Sequence, residues 1–220
     1  MNMPVTSSTE GIRELTIPPI GLQGRLGWPR TGMGVILFAH GSGSGRFSPR
    51  NNYVADALRA AGLGTLLLDL LTEDEAADRR KVFDIDLLAQ RLVMAATWLH
   101  GLPELRDRPL GYFGASTGAG AALVASTLAD LPVKAVVSRG GRPDLAGDAL
   151  RRVTAPTLLI VGGADHPVIT MNREALDALP VEKDLAIVPG AGHLFEEPGA
   201  LDKVIDLARA WFVKHLEPLT

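Results

Sequence analysis

The 220-residue sequence contains no cysteine. This absence excludes disulfide bonds, thiolate metal sites and cysteine nucleophiles together. Long apolar runs are missing as well, since none approaches the roughly 20 residues that a membrane helix needs. The polar stretch from Met1 to Glu10 has neither the charged nor the apolar region of a secretion signal. We therefore expect a cytoplasmic protein without a membrane partner, although a chain free of cysteine is also compatible with export.

The sequence also lacks an excess of positive charge. Its 22 lysines and arginines are scattered among 25 acidic residues, and the formal net charge is -3. Because no extended positive field is available, we expect no nucleic-acid partner. With 46% hydrophobic and 21% charged residues, the composition predicts a single globular domain over residues 1–220.

From Gly34 onward, short β-branched or leucine-rich runs alternate with longer stretches of helical period. This alternation is typical of parallel β-α-β units, and the nearly continuous apolar runs predict strands buried on both faces. Two earlier runs, separated by Pro18-Pro19, predict an antiparallel hairpin at the sheet edge. The parallel candidates are Val35 to Ala39, Thr65 to Asp69, Leu110 to Phe113, Ala135 to Ser138, Thr157 to Val161 and Leu185 to Val188; the hairpin candidates are Ile12 to Ile17 and Leu22 to Trp28.

The predicted fold is an α/β protein, a three-layer α/β/α sandwich with a mostly parallel sheet. Apolar residues spaced with helical period predict the faces that pack on this sheet. These stripes are Val54, Ala57, Leu58 and Ala61; Leu88, Leu92, Ala95, Ala96 and Leu99; and Leu201, Val204, Ile205, Ala208, Trp211 and Phe212.

Glycine-rich polar segments follow most of the predicted parallel strands. Ligands of an open parallel sheet bind outside the carboxyl ends of its strands, so these segments predict one functional edge. They are His40 to Arg46, Gly114 to Gly118, Arg139 to Arg142, Gly162 to His166 and Gly190 to His193. Asp69 and the charged stretch from Glu73 to Lys81 are expected to form a solvated rim.

The segment Gly114-Ala115-Ser116-Thr117-Gly118 lies between a predicted strand and an alanine-rich helix. That context is required of a nucleophile elbow, a turn so sharp that its flanking positions must be nearly free of side chains. Ser116 is therefore the candidate nucleophile. The structural alternative is a glycine turn that only lets the helix and the strand pack closely.

A serine hydroxyl needs a neighbouring base, and the sequence has five histidines. His193 follows the last predicted strand, where the nucleophile-acid-histidine chain order puts the base, so it is favoured over His166. His40, His100 and His215 are expected to be structural.

The base in turn needs a carboxylate to orient it. Asp165, after the strand that begins at Thr157, fits by position and order. The structural alternative is that it caps the helix that starts near Pro167. Asp144 is the rival acid.

Backbone amides and arginines complete the predicted site. We expect the amides of Ser42 and Thr117 to form an oxyanion hole, the latter being directly after the nucleophile. The structural alternative for the loop from His40 to Gly45 is a flexible turn.

Arginines also occur in the loops of this edge. Arg46 and Arg139 are candidates for a bidentate contact to a substrate carboxylate. Arginines in such loops can instead pair with nearby acids.

Together these segments resemble the α/β-hydrolase superfamily across nearly the whole chain. Further segments resemble bacterial hydrolases of the dienelactone-hydrolase-like kind: Arg46-x-x-x-Arg50-Asn51, Leu68 to Thr72, Ser138 to Asp144 and Leu194 to Pro198. The resemblance implies hydrolysis of esters or lactones through an acyl-enzyme, without a metal or organic cofactor. Relatives of this branch are sometimes fused to phosphoribosyltransferase domains, for which the chain is expected to have no room.

The chain departs from the resemblance in its nucleophile. True dienelactone hydrolases have a cysteine at the elbow, whereas this chain has Ser116, so a general carboxylesterase acting on a small ester or lactone is the safer expectation. A thioesterase or amidase with the same triad stays open, as does a catalytically silent binding domain. A monomer and a homodimer are both compatible with the sequence.

Many members of the superfamily place a helical lid between the strands that here end near Ser138 and begin near Thr157. In this chain the interval offers only a Gly-Gly turn and one short amphipathic helix, Asp144 to Val153. We therefore expect a minimal or absent lid and short-chain acyl substrates.

Overall fold

The computed structural model describes residues 11–29, 32–128 and 131–217, which form an eight-stranded sheet with helices on both faces. The stretch Met1 to Glu10, examined above for a secretion signal, lies outside the described residues. Within them, no helix is both long and apolar enough to cross a membrane. The strands are β1 Arg13–Ile17, β2 Leu22–Gly27, β3 Val35–Ala39, β4 Gly64–Leu68, β5 Leu110–Ala115, β6 Val133–Arg139, β7 Thr157–Gly162 and β8 Lys183–Val188.

The strand order is β1-β2-β4-β3-β5-β6-β7-β8, with β1 and β2 antiparallel at one edge and the other six strands parallel to one another. The predicted fold class, including the edge hairpin, is therefore confirmed. All six parallel strands end at the same side of the sheet. The loops after β3 and β4 consequently lie on one side of β5, and the loops after β6, β7 and β8 lie on the other.

Helices cover the sheet in two layers. The helices are α1 Pro49–Ala60, α2 Glu73–Ala76, α3 Arg79–Val82, α4 Ile85–His100, α5 Thr117–Leu128, α6 His166–Ala178 and α7 Ala200–Leu216. Buried residues of α4 and α5 form one apolar cluster with the sheet, and those of α1 and α7 form another. The three predicted stripes supply most of the contacts of α1, α4 and α7, because an apolar stripe of helical period must be buried against another layer.

The last strand differs from its neighbours. Strands β3, β4, β5 and β7 are buried throughout, as predicted for strands covered on both faces. The same prediction is wrong for Leu185 to Val188, because β8 is the edge strand and has a neighbour on one side only. Ile187 is 39% exposed, and Val188 is the one buried residue of the strand.

The interval between β6 and β7 contains a 3₁₀ segment, Pro143–Arg152, where a single amphipathic helix from Asp144 to Val153 was expected. Gly147, with φ 50° and ψ -131°, interrupts it, so a continuous α-helix is the wrong description. Ala146, Ala149 and Leu150 are buried in the cluster that includes α5. This segment is accordingly part of the helical layer.

Candidate active site

Ser116 occupies a strained turn at the end of β5. Its φ is +51°, in the left-handed region that non-glycine residues rarely adopt. A Cβ at Gly114 would lie 2.8 Å from the Ala119 nitrogen, and one at Gly118 would lie 2.5 Å from the His40 oxygen. Both flanking positions therefore require glycine for steric reasons. Such backbone strain concentrates at functional sites, and the geometry is that of a nucleophile elbow.

Hydrogen bonds to β6, the next strand in the sheet, and to the loop after β6 hold the elbow in place. The Ser116 amide donates to the Arg139 carbonyl at 3.3 Å, and the Arg142 amide donates to the Ser116 carbonyl at 3.0 Å. A Cβ at Gly41 would lie 2.9 Å from the Ser116 Cβ, so the loop after β3 passes directly beside the serine. Loops on both sides of β5 thus converge on Ser116, which is partly exposed.

His193 and Asp165 are brought together across neighbouring loops. The Nδ1 atom of His193 lies 2.7 Å from Oδ2 of Asp165. Asp165 precedes α6 in the N-cap position, yet its side chain makes no capping hydrogen bond. The carboxylate points to the imidazole instead, which is the arrangement that holds a histidine in one tautomer.

The loop that carries His193 is held by contacts that the sequence reasoning missed. The Gly192 amide donates to Oε1 of Glu197 at 2.9 Å, and Nη1 of Arg50 lies 2.9 Å from Oε1 of Glu196. Phe195, which lies between Gly192 and Glu196 in the sequence, is buried and has a φ of +55°. The sequence analysis used the Leu194 to Pro198 segment only as a sign of resemblance, although two glutamates beside the candidate base could have suggested an anchoring role.

The residues considered as alternatives to Asp165 and His193 have other partners or are exposed. Asp144 accepts from Nε of Arg142 at 2.9 Å and from Nη2 at 2.7 Å. His166 is exposed at the start of α6. Nε2 of His40 accepts from the Leu70 amide at 3.1 Å, and burial lowers the pKa of His40.

The two amides predicted for an oxyanion hole lie close to each other. The Ser42 amide donates to Oγ1 of Thr117 at 3.1 Å, whereas the Thr117 amide makes no hydrogen bond within the described residues. An amide without a partner at the start of a helix is suited to receive a developing negative charge. The oxyanion role of both amides stays a prediction.

A cavity of about 740 Å³ adjoins these amides on the β3 and β4 side of Ser116. It is lined by the loop from Gly41 to Ser44, by Thr117 and by residues of the segment after β4, including Leu71 and Val82. Its size falls within the range of small-molecule sites. The charged stretch from Glu73 to Lys81, predicted as a rim, contributes Glu73 and Ala76 to this lining.

The two arginines considered for substrate binding differ in their partners. Arg46 lines the cavity, but its guanidinium pairs with Asp69 and its Nε lies 3.6 Å from Oε2 of Glu14. Asp69 is thereby half-buried, which the prediction of a solvated rim did not anticipate. Arg139 is 8% exposed, and its Nε and Nη1 atoms are buried without a hydrogen-bond partner. Substrate binding by either arginine stays a prediction.

No metal site is evident in this arrangement. Among the residues that the structure describes, histidines and acids form no group of three or more that could hold a metal ion.

The parallel sheet with its edge hairpin, the strained elbow after β5 and the imidazole-carboxylate pair after β7 and β8 define an α/β hydrolase. More narrowly, residues 51–211 match the model of the dienelactone hydrolase family. The chain belongs to that family.

Individual relatives agree with this assignment. A crystal structure of a dienelactone hydrolase from Anabaena variabilis has 55% identity and a TM-score of 0.89, over 94% of this chain and 98% of that one. The structure of Est1E from Butyrivibrio proteoclasticus has 13% identity, and its TM-score of 0.79 over 94% of this chain and 99% of that one supports the fold alone.

A Mycobacterium tuberculosis protein with phosphoribosyl transferase in its name is 56% identical over 198 residues, which cover 90% of this chain and 45% of that protein. The chain thus spans about half the length of this curated relative. The name describes a protein more than twice as long as the aligned part.

Proposed function

We propose that the protein is a serine hydrolase that cleaves small carboxylic esters or lactones through an acyl-enzyme on Ser116. His193 is the general base and Asp165 orients it. The observation that carries this proposal is the 2.7 Å contact between Nδ1 of His193 and the Asp165 carboxylate, in loops at the same edge of the sheet as the strained serine. Hydrolase activity itself is the common property of the family.

In the first half of the reaction, Oγ of Ser116 attacks the carbonyl carbon while Nε2 of His193 takes the hydroxyl proton. The C–O bond to the leaving group then breaks, and His193 returns the proton to the departing oxygen. Asp165 stabilises the transient imidazolium without being protonated. Water, activated by the same histidine, hydrolyses the acyl-enzyme and restores the serine.

The Thr117 and Ser42 amides are assigned to the carbonyl oxygen as it becomes negative. Since the Ser42 amide donates to Oγ1 of Thr117 in the free protein, that hydroxyl must rotate away or share the amide when substrate binds. The adjoining cavity of about 740 Å³ is assigned to the acyl group, because it opens beside these two amides. We expect short acyl chains, because the interval between β6 and β7 holds only the short 3₁₀ segment Pro143–Arg152 and no longer helix that could cover a lipid chain.

Replacement of Ser116 tests the proposal. Ser116→Ala is expected to lower kcat for p-nitrophenyl acetate by about a million-fold, the usual cost of losing a triad serine. A fluorophosphonate probe should label the native protein and not the variant. Substantial esterase activity in folded Ser116→Ala, or no labelling of the native protein, would overturn the assignment.

A panel of substrates tests the acyl and leaving groups. Matched ester, thioester and amide substrates separate the esterase from the thioesterase and amidase alternatives, which would use the same triad. We expect kcat/KM to be higher for p-nitrophenyl esters with about two to four acyl carbons than for those with about sixteen. Equal turnover of short and long chains would contradict the expected preference for short acyl chains.

The proposed hydrolase domain comprises residues 1–220, and its cytoplasmic location and its monomeric or homodimeric state stay predictions. Transfer of a phosphoribosyl group is not proposed, because the matched segment is less than half of the relative that carries that name.

A further inference from the structure

Thr117 follows the candidate nucleophile, and the proposed mechanism uses its backbone amide but not its side chain. It is the first residue of α5, is 6% exposed and lines the cavity of about 740 Å³. Its Oγ1 atom accepts a hydrogen bond from the Ser42 amide at 3.1 Å. The hydroxyl oxygen is therefore held next to one of the two amides assigned to the substrate carbonyl oxygen, and it belongs to the same residue as the other.

The hydroxyl hydrogen of Thr117 has no acceptor among the residues that the structure describes. A threonine hydroxyl has one hydrogen to donate and two lone pairs to accept with, and Oγ1 of Thr117 uses only a lone pair. Thr127, at the far end of the same helix, donates to the Val124 carbonyl at 2.8 Å. Thr117 is the first helical residue, so no preceding turn of α5 offers it such a carbonyl. The donor of this nearly buried hydroxyl is thus left for a group that enters the cavity.

The carbonyl oxygen of an ester is a group of that kind. When Oγ of Ser116 attacks, the electron pair of the C=O double bond moves to this oxygen, which becomes negative. Preorganised donors that point to it stabilise the transition state more than the free substrate. The Ser42 N–H can be shared between Oγ1 of Thr117 and this oxygen in a three-centre hydrogen bond. Accepting from Ser42 also polarises the Thr117 hydroxyl and strengthens the bond that it donates.

We propose that the Thr117 hydroxyl is a third donor of the oxyanion hole, besides the amides of Ser42 and Thr117. It is a catalytic residue that contacts the carbonyl oxygen as this becomes negative, and its proton stays on Oγ1 throughout. The inference rests on the proposed hydrolase function. The opposite role is a hydroxyl that blocks the Ser42 amide and must turn away. The two differ in sign, because loss of a donor slows the reaction and loss of a blocking group does not.

Replacement of the hydroxyl tests this role. Thr117→Val keeps the branched shape of the side chain and removes the donor. We expect it to lower kcat for p-nitrophenyl acetate by about 100- to 1000-fold, the usual cost of losing one oxyanion donor, and to change KM by less than about threefold. Thr117→Ser keeps the hydroxyl and should retain kcat within about tenfold of the native value.

Thr127→Val is the matched control, because it removes the same hydroxyl from the far end of the same helix. This variant should keep the native kcat and KM. Native or higher kcat in folded Thr117→Val, or an equal loss in Thr127→Val, would overturn the third donor. Activity that survives in Ser116→Ala would instead refute the proposed hydrolase function, so the two failures are distinguishable.

Inhibition by a ketone tests the contact apart from turnover. Ser116 Oγ adds to the carbonyl carbon of trifluoromethyl propyl ketone, His193 takes the serine proton, and the negative hemiketal oxygen enters the hole. Thr117→Val should raise the inhibition constant of this ketone by about the factor by which kcat/KM falls, and it should leave that of methyl propyl ketone unchanged.

A crystal structure of the trifluoromethyl ketone adduct of the native protein locates the hydroxyl directly. Oγ1 of Thr117 should lie within about 3.0 Å of the hemiketal oxygen. A hydroxyl turned away from that oxygen, or equal inhibition of the native protein and Thr117→Val by the trifluoromethyl ketone, would refute the proposal.

Discussion

At the scale of single residues, Asp165 could have served either of two roles at its position. An aspartate before a helix ordinarily accepts a hydrogen bond from the first turn, and α6 lacks that contact. Its carboxylate contacts His193 instead, so the helix start loses a stabilising cap while the imidazole gains an orienting partner. A local rule of secondary structure is thus broken at the candidate site.

Asp165→Asn is expected to lower kcat for p-nitrophenyl acetate by about 10⁴-fold, because an amide stabilises the wrong imidazole tautomer and cannot stabilise the imidazolium. Asp144→Asn is the matched control. Since it breaks only a partly exposed ion pair with Arg142, it should change kcat by less than about tenfold. A larger loss in Asp144→Asn than in Asp165→Asn would reverse the assignment of the acid.

The glycines of the elbow make a second residue-scale prediction. A Cβ at Gly118 would press on the backbone oxygens of Ala39 and His40, which cannot rotate away as a side chain would. Gly118→Ala should therefore lower the free energy of unfolding by about 1–3 kcal/mol or more. At Gly11 an added Cβ meets nothing within 4 Å, so Gly11→Ala is the control in the same urea titration. Equal stability of the two variants would contradict the steric account.

At the scale of elements, α7 packs one face against the parallel strands of the sheet. Val204, Ile205, Ala208 and Phe212 are buried there, and Gly111 in β5 leaves room for the Phe212 ring. A Cβ at Gly111 would lie 2.8 Å from Cε1 of Phe212. The contact explains why a glycine occurs inside a central strand, where it otherwise weakens the sheet.

Phe212→Ala should lower the free energy of unfolding by about 3–5 kcal/mol, because the sheet cannot collapse into the space of the missing ring. Arg209 lies on the exposed face of the same helix, where it pairs with Asp206 at 2.9 Å. Arg209→Ala should change stability by no more than about 0.5 kcal/mol. Denaturant titration of both variants measures the difference, and similar losses would argue against the assigned buried face.

At the scale of the whole molecule, three partly buried histidines couple stability to pH. Burial lowers the pKa values of His40, His100 and His215 in the folded protein. The unfolded chain therefore binds more protons at mildly acidic pH, and the stabilising effect is fully present above the unfolded value of about 6.5. It is lost as the pH falls below that value.

The free energy of unfolding should accordingly decrease between pH 7.5 and pH 5.5, by at most about 1.4 kcal/mol per pH unit for each histidine. Urea titrations at several pH values measure this slope. His40→Gln should reduce it, because one of the three titrating groups is removed. A stability that rises as the pH falls through this range would contradict the direction of the shifts.

Features that depend on local physical chemistry could be predicted from the amino-acid sequence. Continuous apolar runs between helical stripes specify parallel strands, and the steric demands of a sharp strand-to-helix turn single out Gly114, Ser116 and Gly118. Even so, local pattern failed at Leu185 to Val188, where an apolar run is an exposed edge strand, and at Gly147, whose positive φ breaks the expected helix.

Which distant side chains contact each other depends on the folded structure. His193 lies beside Asp165 rather than Asp144, Arg46 is paired with Asp69, and Arg139 is buried without a partner. Chain order favoured Asp165 over Asp144, but the two arginine environments do not follow from spacing along the chain, because each depends on how loops from different strands approach one another at the sheet edge. Burial and pairing set the energy of a charge, and both are properties of the folded molecule.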